Sequence, residues 1–108
     1  MATTYKVLGQ SNPSATTATT LYTVPASTET VLSTITVANL TTAGTYRIAI
    51  RPDGESLANK HYLAYDVALA ANETHSYTIG VTLNAADVIT VYASSASQAF
   101  NAFGSEIA

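Results

Sequence analysis

The segment HSYTIGVTL, residues 75–83, decides how the rest of the chain is read. Tyr77, Ile79, Val81 and Leu83 occupy alternate positions, with Ser76, Thr78, Gly80 and Thr82 between them. In an extended chain successive side chains point to opposite faces, so this spacing makes one apolar face and one polar face, a half-buried strand. Wound as a helix, the same residues would spread around the cylinder and bury nothing coherent. Gly80 falls on the polar side, where a bulge or a close backbone approach is expected.

The same period of two recurs on either side. TYRIAIR, 45–51, sends Tyr46, Ile48 and Ile50 one way and Arg47, Ala49 and Arg51 the other. ETVLSTITVAN, 29–39, groups Val31, Ile35 and Val37, and HYLAYDVAL, 61–69, aligns Leu63, Tyr65, Val67 and Leu69. DVITVYA, 87–93, is apolar on both faces and is expected at a sheet centre. Weaker strands are expected at YKVLG (5–9), TTLYTVP (19–25) and AFNAFGS (99–105). Between them lie segments with turn chemistry: QSNPSA, VPAST, NLTTAG, RPDGES, AANE and LNAAD. Pro52-Asp53-Gly54 is the strongest, with proline presetting φ and glycine accepting a positive one. LAANE (69–73) and LNAAD (83–87) echo each other and read as two similar sheet corners. No 3.6-residue apolar period lasts for three turns. About eight short strands joined by tight turns predict an all-β chain, an antiparallel β-sandwich of jelly-roll type or a small barrel. One domain is expected over residues 1–108, with 1–10 and 99–108 as candidate interacting arms.

Composition narrows the function. Threonine and alanine each supply about a sixth of the 108 residues, and threonine's branched Cβ suits a pleated surface. Only 10% of residues are charged, against roughly 25% in an average soluble domain, and the net charge is −3. Such a surface is cheap to desolvate and suits a chain covered by neighbours. Four basic residues make no phosphate-binding stripe, which argues against nucleic acid and against an anionic membrane. With no cysteine there is no disulfide framework and no thiolate metal site. MATTYKVLGQ lacks a basic region followed by an apolar run, so no secretory signal is expected, and no apolar stretch reaches membrane-spanning length.

Reactive constellations are thin. His61 and His75, with Asp66 or Asp87 as orienting acid, supply the types for a hydrolytic triad, but there is no nucleophile-elbow pattern. Two histidines would need carboxylates such as Asp66 or Glu73 to complete a zinc site. The five glycines are isolated and form no phosphate cradle, and the glutamates sit at turns or ends. No catalytic, metal or cofactor-binding residue is therefore assigned. The densest polar stretch is ESLANKHYLAYD, 55–66. There Tyr62, Ala64 and Asp66 share a polar-tolerant face, and Asp66 is expected to pair with Arg47 or Arg51 on a neighbouring strand. A charge there also discourages stray edge pairing. Residues expected to make subunit or lattice contacts are Tyr5, Arg47, Arg51, His61, Tyr62, Asp66, Phe100 and Phe103.

In order along the chain, LYTVPA (21–26), STITVAN (33–39), RIAIRPDGESLANKHYLAYD (47–66), LAANET (69–74), VITVYAS (88–94) and AFGSEI (102–107) resemble a family of small β-rich virion proteins of tailed bacteriophages, many with marine or cyanobacterial hosts. The resemblance implies a non-enzymatic part of the virus particle and carries no catalytic residue or cofactor. Capsid decoration, or cement, is the role it favours, with a homo-oligomer, a trimer first, seated on the major capsid protein or other virion proteins. A tail, baseplate or adaptor component is the alternative. A carbohydrate-binding host-attachment module is a further one, for which the seven tyrosines supply amphipathic rings. The expected location is the virion, assembled in the host cytoplasm.

Overall fold

The computed structural model describes residues 2–108 and is all-β. Its strands are β1 (Thr3–Ser11), β2 (Thr19–Thr23), β3 (Glu29–Asn39), β4 (Gly44–Arg51), β5 (Tyr62–Leu69), β6 (Thr74–Tyr77), β7 (Val81–Leu83), β8 (Val88–Ala93) and β9 (Gln98–Ile107). They form two antiparallel sheets. One runs β1-β9-β3-β6, with β7 also on β3; the other runs β2-β8-β4-β5. The pairing is nested: first strand with last, second with second-last, third with β6 and β7, and β4 with β5. That is a long antiparallel ribbon rolled into a two-sheet jelly roll, as the strand count and turn spacing predicted.

The core fills the space between the sheets. Leu32, Ile35, Val37, Phe100 and Ala102 come from one sheet, and Tyr46, Ile48, Ile89 and Val91 from the other. β8 lies inside its sheet and is buried on nearly every residue, as its two apolar faces required. Asn39 is buried but fully used. Its amide donates to the carbonyls of Thr42 (2.7 Å) and Leu69 (3.0 Å), and its oxygen accepts from Ser97 Oγ (2.8 Å). It therefore pins the corner where β3 leaves for β4.

Four departures from strict alternation reassign residues. Ser33 is an extra residue in β3 opposite β9, so Leu32, not Val31, joins Ile35 and Val37 in the core. In β1, Leu8 is the extra residue against the same part of β9, and it too turns inward. In β5, pairing slips at Leu63 and again at Tyr65 and Asp66, where Asp66 has φ 50°. Ala64, Val67 and Leu69 consequently face inward, while Leu63 and Tyr65, expected in the core, are exposed. Finally, Gly80 adopts φ 63° and splits the expected 75–83 strand into β6 and β7, turning Ile79 out to solvent. The described residues thus form nine strands.

The paired corners are real structural twins. Glu73 Oε1 accepts the amide of Ala70, and Asp87 Oδ2 accepts that of Asn84, each at 2.8 Å and three residues upstream. Asn72 and Ala86, just before each acid, both have positive φ. Asp87 Oδ1 also accepts the amide of Asp53, tying this corner to the Pro52–Gly54 turn, where Gly54 takes φ 68°.

At the same end as the 84–87 corner, the Tyr22 hydroxyl on β2 reaches across to Glu106 Oε2 on β9 and Thr30 Oγ1 on β3, while Lys6 Nζ lies 3.2 Å from Glu106 Oε1. Burial and then the neighbouring carboxylate push the Tyr22 phenol up to about 12. Tyr22 donation, and then Lys6, hold Glu106 below its ordinary 4.5. A carboxyl lowered on folding contributes stability above its unfolded pKa that is lost as pH falls through the folded one. Glu106→Gln should therefore cost about 1 kcal/mol at pH 7. It should also flatten the fall of melting temperature below about pH 4.5. A melting series across pH 2–8 checks both, and an unchanged acid limb would reject the role given to Glu106.

Candidate functional site

The two outward sheet faces carry different chemistry. On the four-stranded sheet, alternation in β4 points Arg47, Ala49 and Arg51 outward, and β8 adds Thr90 and Tyr92 beside them. The slips in β5 bring Tyr62, Tyr65 and Asp66 to the same face. Arg47 is held on three sides. Its Nε donates to Asp66 Oδ1 at 2.7 Å, and its guanidinium carbon lies 4.2 Å from the ring centres of both Tyr65 and Tyr92. Asp66 is the leading cause that raises the Arg47 pKa above its ordinary value. Tyr62 stands edge-on to Tyr65, with centroids 4.8 Å apart and an interplanar angle of 80°. Two hollows adjoin the cluster: one of about 220 Å³ bounded by Arg47, Leu57, Tyr62 and Tyr92, and one of about 330 Å³ bounded by Asn59, Tyr62 and Tyr65.

The loop beneath is clamped by its own polar groups. His61 is buried, and its Nδ1 accepts the amide of Ala58 at 3.0 Å. That leaves Nε2 to donate to Glu55 Oε1 at 3.2 Å, which Lys60 also approaches at 3.5 Å. The His61 hydrogen bond is the leading reason Glu55 lies below its ordinary pKa. Arg51 donates to Thr90 Oγ1 and to the carbonyl of Glu55, both at 3.0 Å.

On the five-stranded sheet the outward face carries an apolar patch among threonine, serine, asparagine and glutamine side chains. Register places Tyr5 beside Ser105 and Val31, and Val7 beside Phe103 and Thr34. Tyr5 is 84% exposed, and Val7 and Phe103 stand open as well. They surround a broad depression of about 550 Å³ that reaches Val31 and Ser33. β1 is the edge strand here, bonded to β9 on one side only.

The eight residues singled out from the sequence thus separate. Arg47, Tyr62 and Asp66 gather on one face, with the Arg47–Asp66 pair formed as expected. Arg51 and His61 hold the adjoining loop from within. Tyr5 and Phe103 lie on the opposite face of the molecule. Phe100 is fully buried, edge-on to Tyr46 at 6.3 Å, and is a core residue, not a terminal anchor. The segments expected as arms are built into the sheet: β9 is flanked by β1 and β3, and β1 by β9 alone. Tyr65, Asn59, Val7 and Val31 were missed, the first and last because counting by twos placed them inside.

Chemical groups elsewhere are dispersed. Among the described residues no three His, Cys, Asp or Glu side chains gather as metal ligands. His75 Nδ1 bonds the Tyr46 hydroxyl at 2.8 Å and its Nε2 lies 3.7 Å from Glu73, with no serine or threonine hydroxyl on either nitrogen. No family model, curated protein or solved structure matches this chain.

Proposed function

We propose that this chain is a non-enzymatic structural subunit of a virus particle, and that it decorates the capsid as a homo-oligomer. The observation that carries the reading is the apolar patch on the outer face of the five-stranded sheet, Tyr5, Val7, Val31 and Phe103, beside the edge strand β1 on a chain with only 10% charged residues. Contiguous apolar surface of this kind on a folded chain marks an interaction site. An edge strand adds main-chain donors and acceptors along its border. Overall dimensions of 43 × 27 × 20 Å leave the broad face room for the roughly 800 Å² per partner of a standard interface. The jelly roll recurs in viral capsid domains, which is support at the level of fold analogy. The resemblance of the strand segments to phage virion proteins points the same way.

Tyr5→Asp combined with Phe103→Asp places two charges on that face without touching the core. Sedimentation should show an oligomer for the native chain, a trimer first, and a monomer with a closely similar melting temperature for the variant. A native chain that stays monomeric and does not bind capsid shells would overturn the reading. In images of the intact particle, density over capsid lattice junctions supports decoration. Density around the tail axis moves the assignment to a tail, baseplate or adaptor component.

A further inference from the structure

The corner between Tyr62 and Tyr65 has chemistry that the assembly reading does not use. We infer that Asn59, Tyr62 and Tyr65 form a binding site for a neutral saccharide. Two aromatic walls stand nearly at right angles, 80° apart with centroids at 4.8 Å, and enclose with Asn59 a hollow of about 330 Å³. That volume lies at the small end of ligand sites and holds about one or two sugar rings.

Charge accounting selects the ligand class. Arg47 is taken by Asp66, Lys60 and His61 by Glu55, and Arg51 by Thr90 and the Glu55 carbonyl. The lining of the hollow itself, Asn59, Tyr62 and Tyr65, carries no charge to hold a phosphate, sulfate, carboxylate or amine, and Arg51, whose acceptors are both neutral, is not part of that lining. What the corner offers is aromatic ring, two phenolic hydroxyls and one carboxamide. These groups are neutral, and they both donate and accept. A pyranose matches them: its C–H face lies on a tyrosine ring, and its rim of hydroxyls both donates and accepts.

The walls are also fixed in advance. Tyr65 is 54% exposed, yet one side is braced by the Arg47 guanidinium at 4.2 Å, itself held by Asp66 and Tyr92. The slip at Asp66, with its positive φ, is what turns Tyr65 out of the core and onto this brace. Ordering an already rigid ring costs little on binding.

The test is an amide NMR titration of the intact chain with maltotriose, cellotriose, mannotriose and triacetylchitotriose, with sialyllactose as an acidic comparison. At least one neutral trisaccharide should give saturable shifts centred on residues 59–66, with a dissociation constant in about the millimolar range. Tyr65→Ala should weaken it about tenfold or more, and Asn59→Ala, in the exposed loop, by about threefold. Tyr65→Phe, which keeps the ring, should stay within about threefold of the native chain. Tyr5→Ala, on the far face, should leave it unchanged. The inference falls if no neutral sugar gives saturable shifts up to about 20 mM. It also falls if Tyr65→Ala leaves the shifts intact or sialyllactose alone binds. Loss of oligomer in Tyr65→Ala without any sugar response would assign the corner to protein contact instead. None of these outcomes bears on the Tyr5 and Phe103 face, which is tested separately.

Discussion

Gly104→Ala should destabilise this protein by about 3 kcal/mol, although a glycine in a strand interior is ordinarily improved by alanine. Gly104 pairs with Leu32, next to the extra residue Ser33 in β3. A Cβ there would lie 2.0 Å from the Val31 carbonyl oxygen and 3.1 Å from the Ser33 amide nitrogen. Both are backbone atoms of a hydrogen-bonded strand, so no side-chain rotation relieves the clash. The strand itself must move, and with it Leu32, one of the largest buried side chains. For a domain of this size the loss corresponds to a fall of roughly 12 °C or more in melting temperature. Gly80→Ala is the control. Its φ of 63° strains alanine, but nothing lies within 4 Å of the added carbon, so about 1 kcal/mol is expected. Thermal and urea unfolding of both variants checks the order. A Gly104→Ala variant within about 0.5 kcal/mol of the native chain would mean that β3 and β9 do not approach as described.

The same bulge explains which parts of the fold were legible. Wherever a strand kept its pleat, counting by twos placed residues correctly: Tyr46 and Ile48 are inside, Arg47 is outside, and β8 is central. A bulge inserts one residue and flips every side chain beyond it, so a count that crosses it goes wrong on one side. Val31 lost its place to Leu32 in this way, and Leu63 and Tyr65 lost theirs to Ala64. Little in the local sequence marks these points. Ser33, Leu8 and Asp66 are not glycines, and what fixes the extra residue is the partner strand: β9 is flanked by bulges on both sides between Ala102 and Gly104. Gly80 did advertise itself, and a bulge or close approach was expected there, but the outcome was a full break.

The site was legible in part for the same reason. The Arg47–Asp66 pair needed only an acid within one strand and a base on its neighbour, and the sequence offers few of either. The aromatic corner required knowing that Tyr65 turns out, which the slip at Asp66 decides. His61 was read as a surface group because it precedes a strand in a polar loop. The loop instead folds over it and consumes both ring nitrogens. Phe100 illustrates a different limit: near a chain end an aromatic residue suits an anchor or a core equally, and only the β9 register beside β3 distinguishes them.

Tyr46→Ala should be the most damaging single change, and Tyr46→Phe should separate its two contributions. The ring is fully buried and meets His75, Tyr77 and Phe100 edge-on at centroid distances of 5.7, 6.4 and 6.3 Å. Emptying that space should cost about 4 kcal/mol, a large share of the roughly 5–15 kcal/mol that holds such a domain. The hydroxyl bonds His75 Nδ1 at 2.8 Å and the Tyr77 hydroxyl, joining β4 of one sheet to β6 of the other. Tyr77 and His75 are only half-buried and can turn to water, so Tyr46→Phe should cost about 1 kcal/mol. The two variants should also differ from the native chain in alkali. Burial, and then Tyr77, raise the Tyr46 phenol well above its ordinary value of 10.0. An acid whose folded pKa is raised contributes stability that is complete below its unfolded pKa and is lost as pH climbs from there toward the folded one. The native chain should thus lose stability steeply above about pH 10, and Tyr46→Phe less steeply, so that their difference shrinks as pH rises. Unfolding free energies at pH 7 and across pH 9–11.5, with phenolate absorbance recorded alongside, measure this. Parallel alkaline limbs for the two proteins would show that Tyr46 ionises as readily inside the fold as outside it, which a phenol closed between two sheets cannot do.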